Sequence, residues 1–325
     1  MTYSKTIQFA CALLLCGLLL GCATPGPGAT DRRYLVAQDA DLLERHAPVV
    51  VAGESALAYN QIGHAAARLD EAGEEEIYID LEHAVFYTRQ QPFTALNGRR
   101  YHNLIYRFHF PRVPHPHLTA GANGGLFVVV TLNERQQPVL ITTVHTCGCY
   151  LAFVPTSHLP TSAMPEDWPQ DKQSVFGETL PARLDYPPDY ASDADTQWRM
   201  VLHLRSATHR VMDVRLKRLD HIHAARQTVE LQPMQSLQRL PLGDGHTSFF
   251  HSSGWLEGYV KDSFKPWELL LMSWWALDLN IGRDKQLGDP AATGTVFYTS
   301  LKPWAREASN MYFFADFLEY WGWRL

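Results

Sequence analysis

Charge is scarce in this chain and nearly balanced. Asp, Glu, Lys and Arg make up 19% of the 325 residues, and 28 basic against 34 acidic side chains leave a net charge of −6. A protein that holds nucleic acid through its phosphates carries a basic excess, so no nucleic-acid partner is expected. Cysteine is scarce too, five in all, which excludes a small disulfide-stapled scaffold. With 46% hydrophobic residues and 21 glycines, disordered and collagen-like chains are also excluded. Familiar catalytic signatures are missing. Gly53-Glu54-Ser55 lacks the closing glycine of a nucleophile elbow, since Leu57 stands there. His-Glu-x-x-His, Cys-x-x-Cys-His, a P-loop and Gly-x-Gly-x-x-Gly are absent.

The N-terminus carries the most specific motif. Lys5 precedes an apolar run from Phe9 to Leu20, about a dozen residues where a membrane-spanning helix needs roughly 20. The run ends Leu19-Leu20-Gly21-Cys22. This resembles the lipobox of bacterial lipoproteins, over about the first 25 residues. The resemblance implies cleavage before Cys22 and acylation of Cys22, which anchors the protein to a membrane. Ala23 rather than Asp follows, which by the same resemblance implies the outer membrane of a Gram-negative envelope. Residues 1–21 are then a signal peptide and 22–30, ending TPGPGAT, a lipidated tether. Residues 31–325 are expected to form one domain, with a sub-boundary near 255 as the alternative.

The body reads as β. Tyr101 to Phe110 alternates, with His102, Leu104, Tyr106, Phe108 and Phe110 as the apolar face. Leu126 to Leu132 and Val139 to Val144 are apolar strands joined by a polar hairpin loop at 133–138. Strand follows strand without helices between, which predicts a mainly antiparallel sandwich or open barrel. Residues 155–188, rich in Pro, Ser, Thr and Asp, read as a long loop.

The C-terminus changes character. Seven of nine tryptophans lie between Trp255 and Trp323, and Ser263-Phe264-Lys265-Pro266-Trp267 recurs as Ser300-Leu301-Lys302-Pro303-Trp304. Each copy is expected to start an aromatic-rich helix, with Ser as cap and Pro in the first turn. The first helix runs to about Asn280, and the second to about Trp321 with Gly322 as its stop. The fold class is therefore α+β, a β body with a C-terminal helix pair packed on it. An envelope partner or membrane surface is the other use of that aromatic surface.

Chemistry concentrates in Val144-His145-Thr146-Cys147-Gly148-Cys149-Tyr150. On a strand, His145, Cys147 and Cys149 share a face. In an oxidising envelope the first expectation is a Cys147–Cys149 disulfide across a bend at Gly148. The alternatives are a zinc or copper site, which needs a fourth ligand, and a packed or redox-active thiol pair. Two His-x-His pairs, His115 with His117 and His221 with His223, are lesser metal candidates. No resident cofactor is expected beyond that zinc or copper. The absence of a complete catalytic set favours a non-catalytic binding or structural role, with a metal-dependent extracytoplasmic enzyme as the alternative.

Overall fold

The computed structural model describes residues 31–37, 41–187, 190, 198–222, 226–267, 279–281, 297–300 and 302–325. Cys22, the signal segment and the tether lie outside the described residues, as do His223 and residues 268–278 of the first expected C-terminal helix.

Among the described residues ten strands form one mixed sheet. In chain order they are β1 (Arg32–Leu35), β2 (Val49–Ala52), β3 (Ala84–Thr94), β4 (Arg100–His109) and β5 (Gly125–Leu132). There follow β6 (Pro138–His145), β7 (Ala152–Pro155), β8 (Trp198–Leu204), β9 (Val211–Arg218) and β10 (Arg226–Pro233). Their spatial order is β7-β6-β5-β4-β3-β10-β1-β2-β8-β9. The fold is α+β with a sheet-rich body. Six of the nine pairings are antiparallel, and three, β3 with β10, β10 with β1 and β2 with β8, are parallel. The parallel pairs join segments far apart in sequence, as parallel strands require.

Local chemistry sets the short connections. Asp41 accepts a hydrogen bond from the Glu44 amide at 2.8 Å and so caps α1 (Leu42–His46). Asn133 accepts from the amides of Arg135 and Gln137 at 2.9 and 3.0 Å, closing the β5–β6 hairpin. The expected long loop at 155–188 contains a hairpin of its own, Lys172–Val175 against Glu178–Pro181. Its turn residues Phe176 and Gly177 both have positive φ, the backbone that matches strand twist in a two-residue turn.

The principal core lies on the apolar face read from β4: Leu104, Tyr106 and Phe108 are fully buried and pack with Phe86, Val128, Val130, Val154 and Leu202. The opposite face of β4 is buried as well. Arg107 and His109 on that face have no exposed surface, and the Arg107 guanidinium lies over the rings of Phe127, Phe249 and Phe250.

The C-terminal segment supplies part of this second layer. The second expected helix, Trp304 to Trp321, is instead a 3-10 turn at Pro303–Ala305 and a separate helix α2 (Phe314–Tyr320). Ser309 and Asn310 explain the break. Ser309 Oγ accepts from the amides of Thr299 and Ser300, and Asn310 Oδ1 from those of Phe297 and Tyr312. These side chains bond backbone groups in place of a helical ladder. Gly322, with φ +85°, ends α2 as expected. Phe314, Phe317, Leu318 and Trp323 bury against Tyr101, Val129, Leu140 and Phe153.

Candidate functional site

The site grows from the end of β6. Gly125 and Thr146 hold each other: the Thr146 amide donates to the Gly125 carbonyl at 2.9 Å, and the Gly125 amide to Thr146 Oγ1 at 3.0 Å. Position 125 must be glycine, because a Cβ there would sit 2.4 Å from the Phe108 carbonyl oxygen. The chain then reverses. The Gly148 amide donates to the His145 carbonyl at 2.8 Å, and the His145 amide to the Cys149 carbonyl at 2.9 Å. Gly148 takes the expected bend with φ +84°. Tyr150, at φ +56°, leads the chain out toward β7.

This turn gathers His145, Cys147 and Cys149, but not as a disulfide. Both cysteines are thiols, each partly exposed. Cys147 takes hydrogen bonds from the Cys149 thiol and the His145 ring, so the two sulfurs meet through a hydrogen bond rather than a covalent bond. The Cys149 hydrogen bond is the largest influence holding the Cys147 thiol well below its ordinary value. His145 and the Lys265 charge add to it, and dense surroundings oppose it. Nor do the three donors make a chelate. Among the described residues no group of three or more His, Cys, Asp or Glu side chains is arranged to hold a metal ion. The His145 ring packs edge-on against Tyr150, with centroids 4.8 Å apart.

Beside Cys147 lies a cavity of about 20 Å³, room for one water-sized molecule. Phe110, Val113 and Ile281 give it apolar walls, and Lys265, Arg112, His145, His209 and Thr119 contribute polar groups, with no carboxylate in the lining. Lys265 is 2% exposed. His209 stacks flat on Phe110, with centroids 3.8 Å apart and planes 5° apart, and burial pushes its pKa down to about 3, so the ring is neutral. Both His145 and His209 keep a buried Nε2 atom with no protein partner. Such atoms mark a place where a polar molecule fits.

A lid of side chains frames the approach. Arg210 lies over the Tyr150 ring, and Phe176 meets that ring edge-on at 5.3 Å. Arg210 and Arg205 both bond Glu178, each at 2.6 Å, tying the 172–181 hairpin to the turn between β8 and β9. Burial works against the Glu178 charge, but the two arginines win and hold its carboxyl below the usual range.

Of the lesser candidates, His223 lies outside the described residues, and His115, His117 and His221 do not line the cavity. His115 contacts Trp267 in an exposed loop. His117, partly buried, comes near enough to His209 to act on it through charge, but joins no ligand cluster. His221 is exposed, 4.0 Å from Asp220. Lys265 and His209 were not singled out in the sequence. The signal for Lys265 was a lysine inside an aromatic-rich repeat; the matching Lys302 is exposed. His209 sits in a turn and carries no local signal. No known protein family, curated protein or solved structure matches this chain.

Proposed function

We propose that this chain is a lipid-anchored protein of the bacterial envelope whose work is done by a reactive thiol, Cys147. The anchor rests on the Leu19-Leu20-Gly21-Cys22 motif, and an outer-membrane position on Ala23. One observation carries the thiol reading: Cys147, partly exposed, accepts hydrogen bonds from Cys149 and His145 beside the Lys265 cation. That is the surrounding of a nucleophile rather than of a packed structural cysteine. It favours thiol chemistry over the metal-dependent alternative, which lacks a ligand group among the described residues.

The groups that set this thiol's charge are Cys149, His145 and Lys265, with Arg112 in the same cavity wall. Alkylation by iodoacetamide as a function of pH tests the reading. The wild type is expected to react with a midpoint well below the ordinary thiol value, with label on Cys147. Lys265→Met moves the midpoint upward. A midpoint at or above about 8.5 refutes the thiolate.

A non-catalytic docking role is the second reading. It is favoured by Trp304 and Trp255, which are 82% and 76% exposed. A Trp255→Ser, Trp304→Ser double variant that loses binding to envelope vesicles, with unchanged alkylation, favours this role.

A further inference from the structure

We infer that Cys147 reduces a small hydroperoxide held in the adjoining cavity, with Cys149 as the resolving thiol. This rests on the thiolate reading above and adds the substrate class to it. Three observations carry it: the size of the cavity, the polar groups in its wall, and the turn that places the second thiol.

The cavity beside Cys147 is about 20 Å³. A space little larger than one water takes two bonded oxygens at most, and does not admit a peptide or a sugar. Hydrogen peroxide is the small electrophile that reacts with thiolates and carries no bulk beyond two oxygens. Next, the polar groups of the wall suit it. Lys265 is buried there, and the buried Nε2 atoms of His145 and His209 have no protein partner. Imidazole nitrogens donate to or accept from a peroxide oxygen according to tautomer, and a cation favours the hydroxide that leaves. Finally, the second thiol is already in place. Cys147 and Cys149 are free thiols on either side of Gly148, whose positive φ folds the backbone back, and the His145 amide holds the Cys149 carbonyl at 2.9 Å to close the turn.

The chemistry balances without any further oxidant. The Cys147 thiolate attacks one peroxide oxygen; an S–O bond forms, the O–O bond breaks, and the departing hydroxide takes a proton and leaves as water. Cys147 is then a sulfenic acid. The Cys149 sulfur attacks the sulfur of that acid, an S–S bond forms and the S–O bond breaks. The hydroxide released takes the proton that Cys149 loses and becomes the second water. Two thiols lose two electrons, and one peroxide becomes two waters. An external thiol reductant restores the pair.

The test treats the reduced full-length chain, in detergent, with one equivalent of hydrogen peroxide and follows the peptide containing both cysteines by mass. The expected result is an internal disulfide, formed once per peroxide and reversed by dithiothreitol. At pH 7 a fully ionised thiol exceeds one of pKa about 8.5 by about 30-fold in thiolate. The peroxide rate, relative to free cysteine, is expected to exceed that factor by about tenfold or more, because the cavity also acts on the leaving oxygen. Bulky cumene hydroperoxide is expected to show no such excess. Cys149→Ser is expected to stop at a sulfenic acid trapped by dimedone on Cys147, and Cys147→Ser to take no label, with both variants melting as the wild type does. A wild-type peroxide rate equal to that of free cysteine, or oxidation without the internal bond, overturns the inference. The iodoacetamide profile separates the two claims. A low alkylation midpoint with an ordinary peroxide rate removes the peroxide and leaves the thiolate; an ordinary midpoint removes both.

Discussion

Phe317 offers the sharpest test of how the C-terminal layer holds the fold. Its side chain is fully buried on α2, 5.3 Å from Phe314 and 5.7 Å from Phe153 of β7, ring centre to ring centre. Trp323 completes the cluster, 5.4 Å from Phe153 and 4.8 Å from Trp168. Phe317→Ala removes most of a ring from this packing, and the sheet beneath it is too rigid to collapse into the gap. Large-to-small changes of this kind cost about 3–5 kcal/mol. Against a domain stability of about 5–15 kcal/mol that is a large share. For a domain of this size each kcal/mol shifts Tm by about 2–4 °C, so a drop of about 6–20 °C is expected by circular dichroism. Urea unfolding measures the same loss as a shift in midpoint with unchanged slope. Removing residues 304–325 strips the whole cluster and is expected to give an aggregated product. A Phe317→Ala variant within about 1 kcal/mol of wild type, or a soluble truncation with the same melting curve, refutes the reasoning. In that case α2 belongs to a partner or a membrane surface rather than to the core.

Two other predictions concern the anchor and the hairpin over the site. Cys22→Ser is expected to abolish incorporation of labelled fatty acid and leave unprocessed precursor or released protein; label in the variant, or none in the wild type, sinks the lipoprotein assignment. Glu178 has a lowered carboxyl pKa in the folded protein, so its contribution to stability is complete above the ordinary value of 4.5 and is lost as pH falls through the lower folded value. Glu178→Gln is expected to cost about 2 kcal/mol at pH 7 by removing a buried partner from two arginines. The gap from wild type is expected to narrow under acid, and a constant gap from pH 7 to pH 3 contradicts this.

How much of this was legible depended on how local each cause is. The hairpin loop at 133–138, the Gly148 bend and the Gly322 stop are each set within about five residues, and each appears in the sequence. The inward face of β4 was legible because Leu104, Tyr106, Phe108 and Phe110 recur at every second position, with Asn103, Arg107 and His109 on the other side. The opposite face was not, because Asn103, Arg107 and His109 are polar yet buried. Arg107 and His109 are covered by Phe249 and Phe250, more than a hundred residues later. The parallel pairs of β10 with β1 and β3 are hidden for the same reason. The helix expected from Trp304 failed at Ser309 and Asn310, whose side chains prefer the backbone of residues 297–300 to a helical turn. Within the site, the triad of His145, Cys147 and Cys149 was legible as a group. Its state as hydrogen-bonded thiols was not, since that depends on Lys265, over a hundred residues away, and on the path of the turn.

The mutual clasp of Gly125 and Thr146 has a kinetic consequence. Both amides at the base of the site are spent on partners inside the sheet, and His145 is tied to Cys149 by a third. Amide exchange at Gly125, His145 and Thr146 should therefore be slow, proceeding only through rare openings of the sheet. Any rearrangement of the two sulfurs must then be absorbed by the few torsions between Cys147 and Tyr150. The strand end that carries the thiols is then expected to hold still while the two sulfurs rearrange.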